Sequence, residues 1–161
     1  MNGIKLRGTG RCVPANVITN DDLAKLVDTN DAWITARTGI RSRYRCTKET
    51  HTDLCVNAAR AALEKARVSP AEIGACIVAT VSADTVVPSA ACMLQRALGL
   101  PEDTPCFDLN AACTGFVYAL HTMECLLNAA PRKFGLVVGA EALSKVVDWT
   151  DRGTCILFGG G

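Results

Sequence analysis

The sequence predicts an α/β protein with a mainly parallel sheet. Cys76–Val81 is a continuous apolar run rich in β-branched residues, which is typical of a strand buried on both faces. Two further runs of this kind, Phe134–Ala140 and Thr154–Phe158, alternate with helical segments in the second half of the chain. Such alternation is typical of a layered sheet covered by helices.

The first part of the chain combines one predicted strand with two short helices. Gly3–Val13 alternates apolar and basic residues and favours an opening strand. A short helix is predicted to start at Asn20, which is its cap, and a second helix is predicted over 31–38 with Asn30 as its cap. Residues 40–45 are predicted to form a short strand or an extended arm.

The elements that follow have clear boundary signals. Thr50 and Asp53 have capping-box spacing ahead of a long amphipathic helix that runs to about Ala66. Pro88 opens another helix, which Gly99 closes. The remaining elements are a short strand and a helix, at 106–109 and 112–128.

Composition and charge exclude several classes of protein. The chain has 161 residues, of which 49% are hydrophobic, enough for one sizeable core. Lys and Arg number 17 against 16 for Asp and Glu, without runs of one sign, so no nucleic-acid or anionic-membrane surface is expected. Every apolar stretch is shorter than the roughly 20 residues that span a bilayer, and the first residues lack the apolar core of a signal peptide. These features predict a cytoplasmic protein.

The nine cysteines match neither a metal site nor a disulfide framework. The closest two lie seven residues apart, so there is no C-x-x-C pair for zinc or for a redox dithiol. An odd number without close pairs indicates free thiols in a reducing compartment. With no repeat or long linker, we expect one domain over 1–161, and its end directly after a predicted strand indicates part of a longer protein.

Cys113 is the candidate nucleophile. It lies between a predicted buried strand and the first turn of a helix, where unpaired backbone amides favour a thiolate and can face an oxyanion. The small residues Ala111, Ala112 and Gly115 would let a substrate approach the sulfur. The alternative is a buried structural thiol, like the eight other cysteines.

A resemblance to a known family favours the first interpretation. DLNAACTGFVYAL around Cys113 resembles the nucleophile segment of β-ketoacyl-acyl-carrier-protein synthase III, and segments in matching order span essentially the whole chain, among them GTGRCVP, DAWITARTG, VPSAACMLQRALG and LVVGAEALS. The resemblance implies a thiolase-like fold with an αβαβα layered architecture and a mixed, mainly parallel sheet. This chain would be the N-terminal half, with the C-terminal half absent.

The resemblance also implies a reaction. Cys113 would accept an acetyl or other short acyl group from acyl-coenzyme A and transfer it to the carbanion formed when malonyl-acyl-carrier-protein loses carbon dioxide. The protein would be a cytoplasmic homodimer that starts fatty-acid synthesis, with no metal or redox cofactor. Related starter-unit synthases of polyketide or quinolone type, or a non-catalytic half-domain for dimerisation or carrier-protein binding, are the alternatives.

By the same resemblance, four residues form the coenzyme A groove. Trp33 and Arg37 would flank the adenine, and Thr29 and Arg152 would line the same mouth. An indole and a guanidinium suit the stacking of a base and the binding of phosphate. The alternatives are a Trp that packs a helix and solvated arginines.

Three further residues match positions of the family's acyl pocket. Val87 matches a position that reaches across the dimer interface, where a larger aromatic residue is common, so a longer or branched acyl group would fit. Leu143 and Phe158 match pocket-lining positions and are equally suited to an ordinary core.

The chain departs from the family in two respects. The family's catalytic His and Asn lie in the second half of its chains, and neither His51 nor His121 stands in the corresponding motif. His121 lies about 12 Å along the helix from Cys113 and is expected to be a partly buried helix residue, whereas His51 is expected at a helix start. Gly160 replaces the acid of the family's FGDGAGA segment.

Overall fold

The computed structural model describes residues 3–161, which fall into two compact units. The first unit comprises the chain up to Cys12 together with His51–Ala140, and the second comprises Val13–Thr50 together with Glu141–Gly161. The expectation of a single domain over 1–161, as one half of a larger protein, stays a prediction.

The two units contain five strands and six α-helices within the described residues. In chain order these are β1 (Asn16–Thr19), α1 (Asn20–Leu23), α2 (Asp31–Thr38), β2 (Ser42–Arg45), α3 (His51–Ala66), β3 (Ile73–Ala79), α4 (Ala90–Leu98), β4 (Cys106–Leu109), α5 (Gly115–Ala129), β5 (Phe134–Gly139) and α6 (Arg152–Cys155). Single 3₁₀ turns lie at Pro70–Glu72, Ala112–Thr114 and Leu143–Lys145. None of the helices in residues 3–161 has the length and apolar character needed to cross a membrane.

The first unit is built around a parallel sheet in the order β4-β3-β5. All seven residues of the central strand β3 are buried. Their side chains alternate between two clusters: Cys76 and Val78 face the side of α3 and α4, whereas Ala75 and Ile77 face α5. The sequence-based prediction of an α/β fold with a parallel sheet is confirmed.

Carboxylates from other parts of the first unit cap its helices. Asp84 accepts hydrogen bonds from the backbone amides of His51 (3.1 Å) and Thr52 (2.8 Å) at the start of α3. Asp108 of β4 accepts hydrogen bonds from the amides of Ala90 (2.7 Å) and Ala91 (2.8 Å) at the start of α4. Negative charge is stabilising at a helix N-terminus, so these contacts hold both helices to the loops and strands around them.

The second unit contains a two-stranded antiparallel sheet of β1 and β2. The segment predicted as an arm or strand over 40–45 is therefore strand β2. Helix α2 is confirmed with Asn30 as its cap and Gly39, at φ 72°, as its left-handed stop. Its buried Ile34 packs with Leu23 and Cys155 in a separate small core.

Two predicted strands are not strands in the structure. Gly3–Val13 contains no strand in its described residues, because the segment lies against α3: a Cβ on Gly8 would stand 2.6 Å from the carbonyl oxygen of Ala62. Thr154–Phe158 is also wrong as a strand. There the Asp151 side chain accepts hydrogen bonds from Gly153 and Thr154 and starts helix α6 instead.

Two predicted helices begin or end elsewhere. Helix α1 is short, as expected, but Thr19, not Asn20, is its cap, with a reciprocal capping box to Asp22. The helix predicted over 112–128 begins as a 3₁₀ turn and becomes α-helical only at Gly115.

The close packing of the N-terminal segment on α3 predicts a specific sensitivity. Gly8→Ala should lower the free energy of unfolding by about 1–3 kcal/mol, because the added methyl group meets helix backbone that cannot rotate away. Gly3→Ala is the matched control, since a Cβ there meets no atom within 4 Å. Urea denaturation followed by circular dichroism measures both, and equal midpoints for the two variants would show that the segment does not pack as described.

Candidate active site

Cys113 lies at the carboxyl edge of the parallel sheet. It follows the last residue of β4, Leu109, by four positions and sits in the 3₁₀ turn Ala112–Thr114, immediately before α5. Its side chain is exposed. The predicted placement between a strand and a helix is confirmed, and the alternative of a buried thiol does not hold for this cysteine.

The turn that carries Cys113 is strained. Ala112 has φ 45°, and apart from Arg67 it is the one non-glycine residue of 3–161 with a positive φ. A left-handed conformation costs an L-residue roughly 1–2 kcal/mol. Thr114 stabilises the turn because its Oγ1 donates a hydrogen bond to the carbonyl oxygen of Ala111 at 2.8 Å. A sharp, strained turn between a strand and a helix is a known means of presenting a nucleophile.

The start of α5 adds favourable electrostatics. Its cap residue, Thr114, makes no side-chain capping bond, and no acidic side chain occupies the first turn. The positive end of the helix therefore faces the Cys113 side without a competing carboxylate on its first turn. Gly115 has a different role from the one predicted: it is buried, and a Cβ there would lie 3.4 Å from Ala79, so its small size serves packing on β3 instead of substrate access.

A second group of predicted residues meets around Trp33 in the second unit. The Cζ atom of Arg37 lies 4.3 Å from the centre of the Trp33 ring, and that of Arg152 lies 4.7 Å from it. Arg152 also donates a hydrogen bond to the carbonyl oxygen of Asp28 at 3.2 Å, and the hydroxyl oxygen of Thr29 is buried without a hydrogen-bond partner. The structure thus brings together Trp33, Arg37 and Arg152 of the four predicted residues, and Arg152 bonds to Asp28, the residue before Thr29.

A similar stack nearby was not predicted. Arg45 lies over the Trp149 ring at 4.5 Å, and the indole nitrogen of Trp149 donates a hydrogen bond to the carbonyl oxygen of Ser144. The pair is brought together by β2 and the loop after β5, and no local sequence spacing indicates such a contact. It offers a matched control for the Trp33 stack.

The three residues predicted for an acyl pocket differ in exposure. Val87, in the loop before α4, is 84% exposed, and its neighbour Val86 is 93% exposed. Phe158 is 40% exposed, and Leu143 is partly buried at the start of its 3₁₀ turn. Val87 belongs to the first unit, whereas Leu143 and Phe158 belong to the second.

The two histidines have separate environments. His51 is the first residue of α3, as predicted, and is fully buried, with Nε2 3.0 Å from the carbonyl oxygen of Ala140 and 2.9 Å from Oγ1 of Thr80. It therefore joins the ends of β3 and β5, which the sequence did not indicate. His121 is not partly buried as expected: its side chain is 70% exposed and lies 4.0 Å from Glu124.

The C-terminal glycines form backbone contacts within the second unit. Gly161 and Glu141 exchange two backbone hydrogen bonds, at 2.8 and 2.9 Å, and the amide of Gly160 donates to the carbonyl oxygen of Tyr44. A Cβ on Gly160 would stand 2.7 Å from the sulfur of Cys46. An acid at this position, as in the FGDGAGA pattern, would require Cys46 to move.

Comparisons with known proteins agree on one relationship. Residues 107–161 match the family model of 3-oxoacyl-[acyl-carrier-protein] synthase III. The chain is 48% identical over its whole length to a β-ketoacyl-[acyl-carrier-protein] synthase III of Clostridium acetobutylicum, of which it covers 49%, and 49% identical over 98% of its length to one of Thiobacillus denitrificans, of which it covers 50%. The chain thus spans about half the length of these curated relatives.

Solved structures give the same result. The chain superimposes on a 3-oxoacyl-[acyl-carrier-protein] synthase III of Aquifex aeolicus with a TM-score of 0.93 and 46% identity, over 98% of this chain and 51% of that one. It also superimposes on the priming β-ketosynthase of the R1128 polyketide pathway with a TM-score of 0.92 and 35% identity, over 98% of this chain and 47% of that one.

Because the backbone at Ala112 is strained, glycine substitutions at positions 111 and 112 should change the free energy of unfolding differently. Ala111→Gly should lower the free energy of unfolding by about 0.5–1 kcal/mol through the added freedom of the unfolded chain. Ala112→Gly carries the same cost but also removes the left-handed strain at φ 45°, so it should be neutral or stabilising. Chemical denaturation of both variants checks the difference, and equal destabilisation would contradict a strained Ala112.

Proposed function

Since the chain belongs to the β-ketoacyl-[acyl-carrier-protein] synthase III family and has its thiolase-like fold, we propose that it supplies the nucleophile and the acyl-donor groove of an acyltransferase that starts fatty-acid synthesis. It corresponds to the N-terminal half of such a protein. The observation that carries the proposal is the exposed Cys113 thiol on a strained turn at the start of α5.

In the first step, the Cys113 thiolate attacks the thioester carbonyl of acetyl-coenzyme A or another short acyl-coenzyme A. The tetrahedral oxyanion collapses, the bond from the carbonyl carbon to the coenzyme A sulfur breaks, coenzyme A leaves as a thiolate that takes up the proton Cys113 lost, and the acyl group remains on Cys113 as a thioester. The uncapped first turn of α5 provides a positive environment for the charge that develops there.

In the second step, malonyl-acyl-carrier-protein loses carbon dioxide and its carbanion attacks the acyl thioester, releasing Cys113 for another cycle. The family's His and Asn that assist decarboxylation belong to the other half of the protein. No resident metal or redox cofactor takes part in the proposed reaction, because the acyl donor is already activated as a thioester.

We propose that Trp33 and Arg37 flank the donor's adenine and that Thr29 and Arg152 line the same mouth. The Cζ atoms of Arg37 and Arg152 lie 4.3 and 4.7 Å from the centre of the Trp33 ring, so an indole and two cations are gathered where a base with phosphates would bind. The partnerless hydroxyl of Thr29 would gain a hydrogen-bond partner from the nucleotide.

The proposal extends to assembly, acyl specificity and location. The two highly exposed valines, Val86 and Val87, suit burial in a homodimer, and the small side chain of Val87 would leave room for a longer or branched acyl group in the partner's acyl pocket. A cytoplasmic location is favoured because the nine cysteines lack the close pairing and even number of a secreted disulfide framework.

A starter-unit synthase of polyketide type is the second candidate. It is favoured by the TM-score of 0.92 with the R1128 priming β-ketosynthase. The two candidates share Cys113 and differ in the acyl donor and the elongation partner, so a comparison of donors with the complete protein separates them. A non-catalytic half-domain is a third possibility, in which Cys113→Ala would leave the activity of the complete protein unchanged.

The proposed nucleophile can be tested by acyl transfer. Incubation with acetyl-coenzyme A should add one acetyl group to the chain, and peptide mapping should place it on Cys113. Cys113→Ser should remove the thioester adduct, whereas Cys125→Ser, a control for another exposed cysteine on α5, should retain it. An adduct on Cys125, or none on a folded chain, would contradict a self-sufficient donor site in this half.

The proposed adenine stack can be tested by fluorescence. The chain has two tryptophans, so Trp149→Phe leaves Trp33 as the sole indole, and coenzyme A should quench its emission. In that background Arg152→Ala should weaken binding about fivefold to tenfold, because one stacking cation is lost. Arg45→Ala, which removes the cation over residue 149, should leave the affinity unchanged. Equal effects of the two arginine variants would contradict the proposed groove.

A further inference from the structure

Arg43 is a buried cation in the second unit for which the proposed reaction gives no role. It lies on β2 with 5% of its surface exposed. Among residues 3–161 no carboxylate forms a salt bridge with it, and its Nε atom is buried without a hydrogen-bond partner. Burying a charge away from an opposite charge is unfavourable, so the role of Arg43 must come from the two hydrogen bonds that its guanidinium does make.

These hydrogen bonds join two segments that are far apart in sequence. Nη1 donates to the carbonyl oxygen of Ile18 on β1 at 3.2 Å, and Nη2 donates to the carbonyl oxygen of Ile156 at 3.0 Å, 113 positions from Arg43. A guanidinium is planar and holds its N–H groups in a fixed fork. Arg43 therefore fixes the carbonyl group of Ile156 relative to the sheet of β1 and β2.

Ile156 is the C-terminal cap of α6, the helix that begins with Arg152. It is buried in the small core that also contains Ile34 of α2. About one turn earlier in the same helix, Arg152 lies over the Trp33 ring at 4.7 Å. A helix of four residues has too few internal hydrogen bonds to be stable by itself. Its placement, and with it the placement of Arg152, therefore depends on contacts such as the one from Arg43.

We propose that Arg43 is a positioning residue of the coenzyme A groove: by holding the C-terminal end of α6, it keeps the guanidinium of Arg152 over Trp33. The inference rests on the proposed function of this groove. Two alternatives give Arg43 no such role. In one it only stabilises the fold of the second unit, and in the other its charge only attracts the donor's phosphates from a distance.

Three substitutions separate these roles. Arg43→Met removes both hydrogen bonds and the buried charge and keeps an unbranched side chain, and replacement of buried ionic groups by apolar residues is often neutral for stability. Arg43→Lys keeps the positive charge but lacks the fork. Arg41→Met is the matched control, since it removes an exposed arginine two positions earlier in the chain.

The first measurement reports the placement of Arg152 in the absence of ligand. In the Trp149→Phe background Trp33 is the sole indole, and acrylamide should quench its emission more strongly when the guanidinium of Arg152 no longer covers the ring. Arg43→Met and Arg43→Lys should raise the quenching constant toward that of Arg152→Ala, whereas Arg41→Met should leave it unchanged. Unchanged quenching in a folded Arg43 variant, or loss of folding in both Arg43 variants by circular dichroism, would overturn the proposal.

Titration with coenzyme A then tests whether Arg43 acts through Arg152. Arg43→Met should weaken the affinity about threefold or more, and it should have no further effect in an Arg152→Ala background, because effects of coupled residues are not additive. Equal effects in both backgrounds, or full affinity of Arg43→Lys, would overturn the proposal.

Failure of the groove itself gives a different result. If coenzyme A does not quench Trp33, or if Arg152→Ala leaves the affinity unchanged, the proposed function of the groove is wrong. The acrylamide measurement, which needs no ligand, still decides whether Arg43 holds Arg152 over the Trp33 ring.

Discussion

The burial of strand β3 on both faces is the constraint on which the first unit depends. Its seven residues are all buried and offer no polar face to water, so helices must cover both sides of the sheet, and both neighbouring strands run parallel to it. Parallel pairing brings the carboxyl ends of β3, β4 and β5 to one edge. Cys113 follows β4 at that edge, where α5 begins.

The small core of the second unit positions the residues around Trp33. This core of Leu23, Ile34 and Cys155 fixes α2 and the turn around α6, and so brings Arg152 to Trp33, which is 119 positions earlier in the sequence. Arg37 reaches the Trp33 ring from one turn along α2, whereas Arg152 reaches it only through this packing. The proposed nucleophile therefore belongs to the first unit and the proposed stacking residues belong to the second.

The sequence predicted what periodicity and local chemistry control. Continuous apolar runs indicated β3 and β5, and capping residues indicated α2 and α3, because these signals act within one element. Sequence-based prediction failed where a contact with another segment or a competing cap determines the local structure. The N-terminal segment packs against α3 and forms no strand, and the Asp151 cap makes residues 152–155 helical. The resemblance to the family identified the residues around Trp33. The backbone strain at Ala112 and the contacts of His51 with the ends of β3 and β5 are evident only in the three-dimensional structure.

The central claim is that the edge of the parallel sheet makes Cys113 an activated nucleophile. Its most direct test compares the alkylation rates of Cys113 and Cys125 by iodoacetamide, since both thiols are exposed and both belong to the α5 segment. We expect Cys113 to react at least about tenfold faster in the folded chain, and the two rates to converge in urea. Equal rates in the folded chain would contradict the claim, because exposure alone would then account for the reactivity of Cys113.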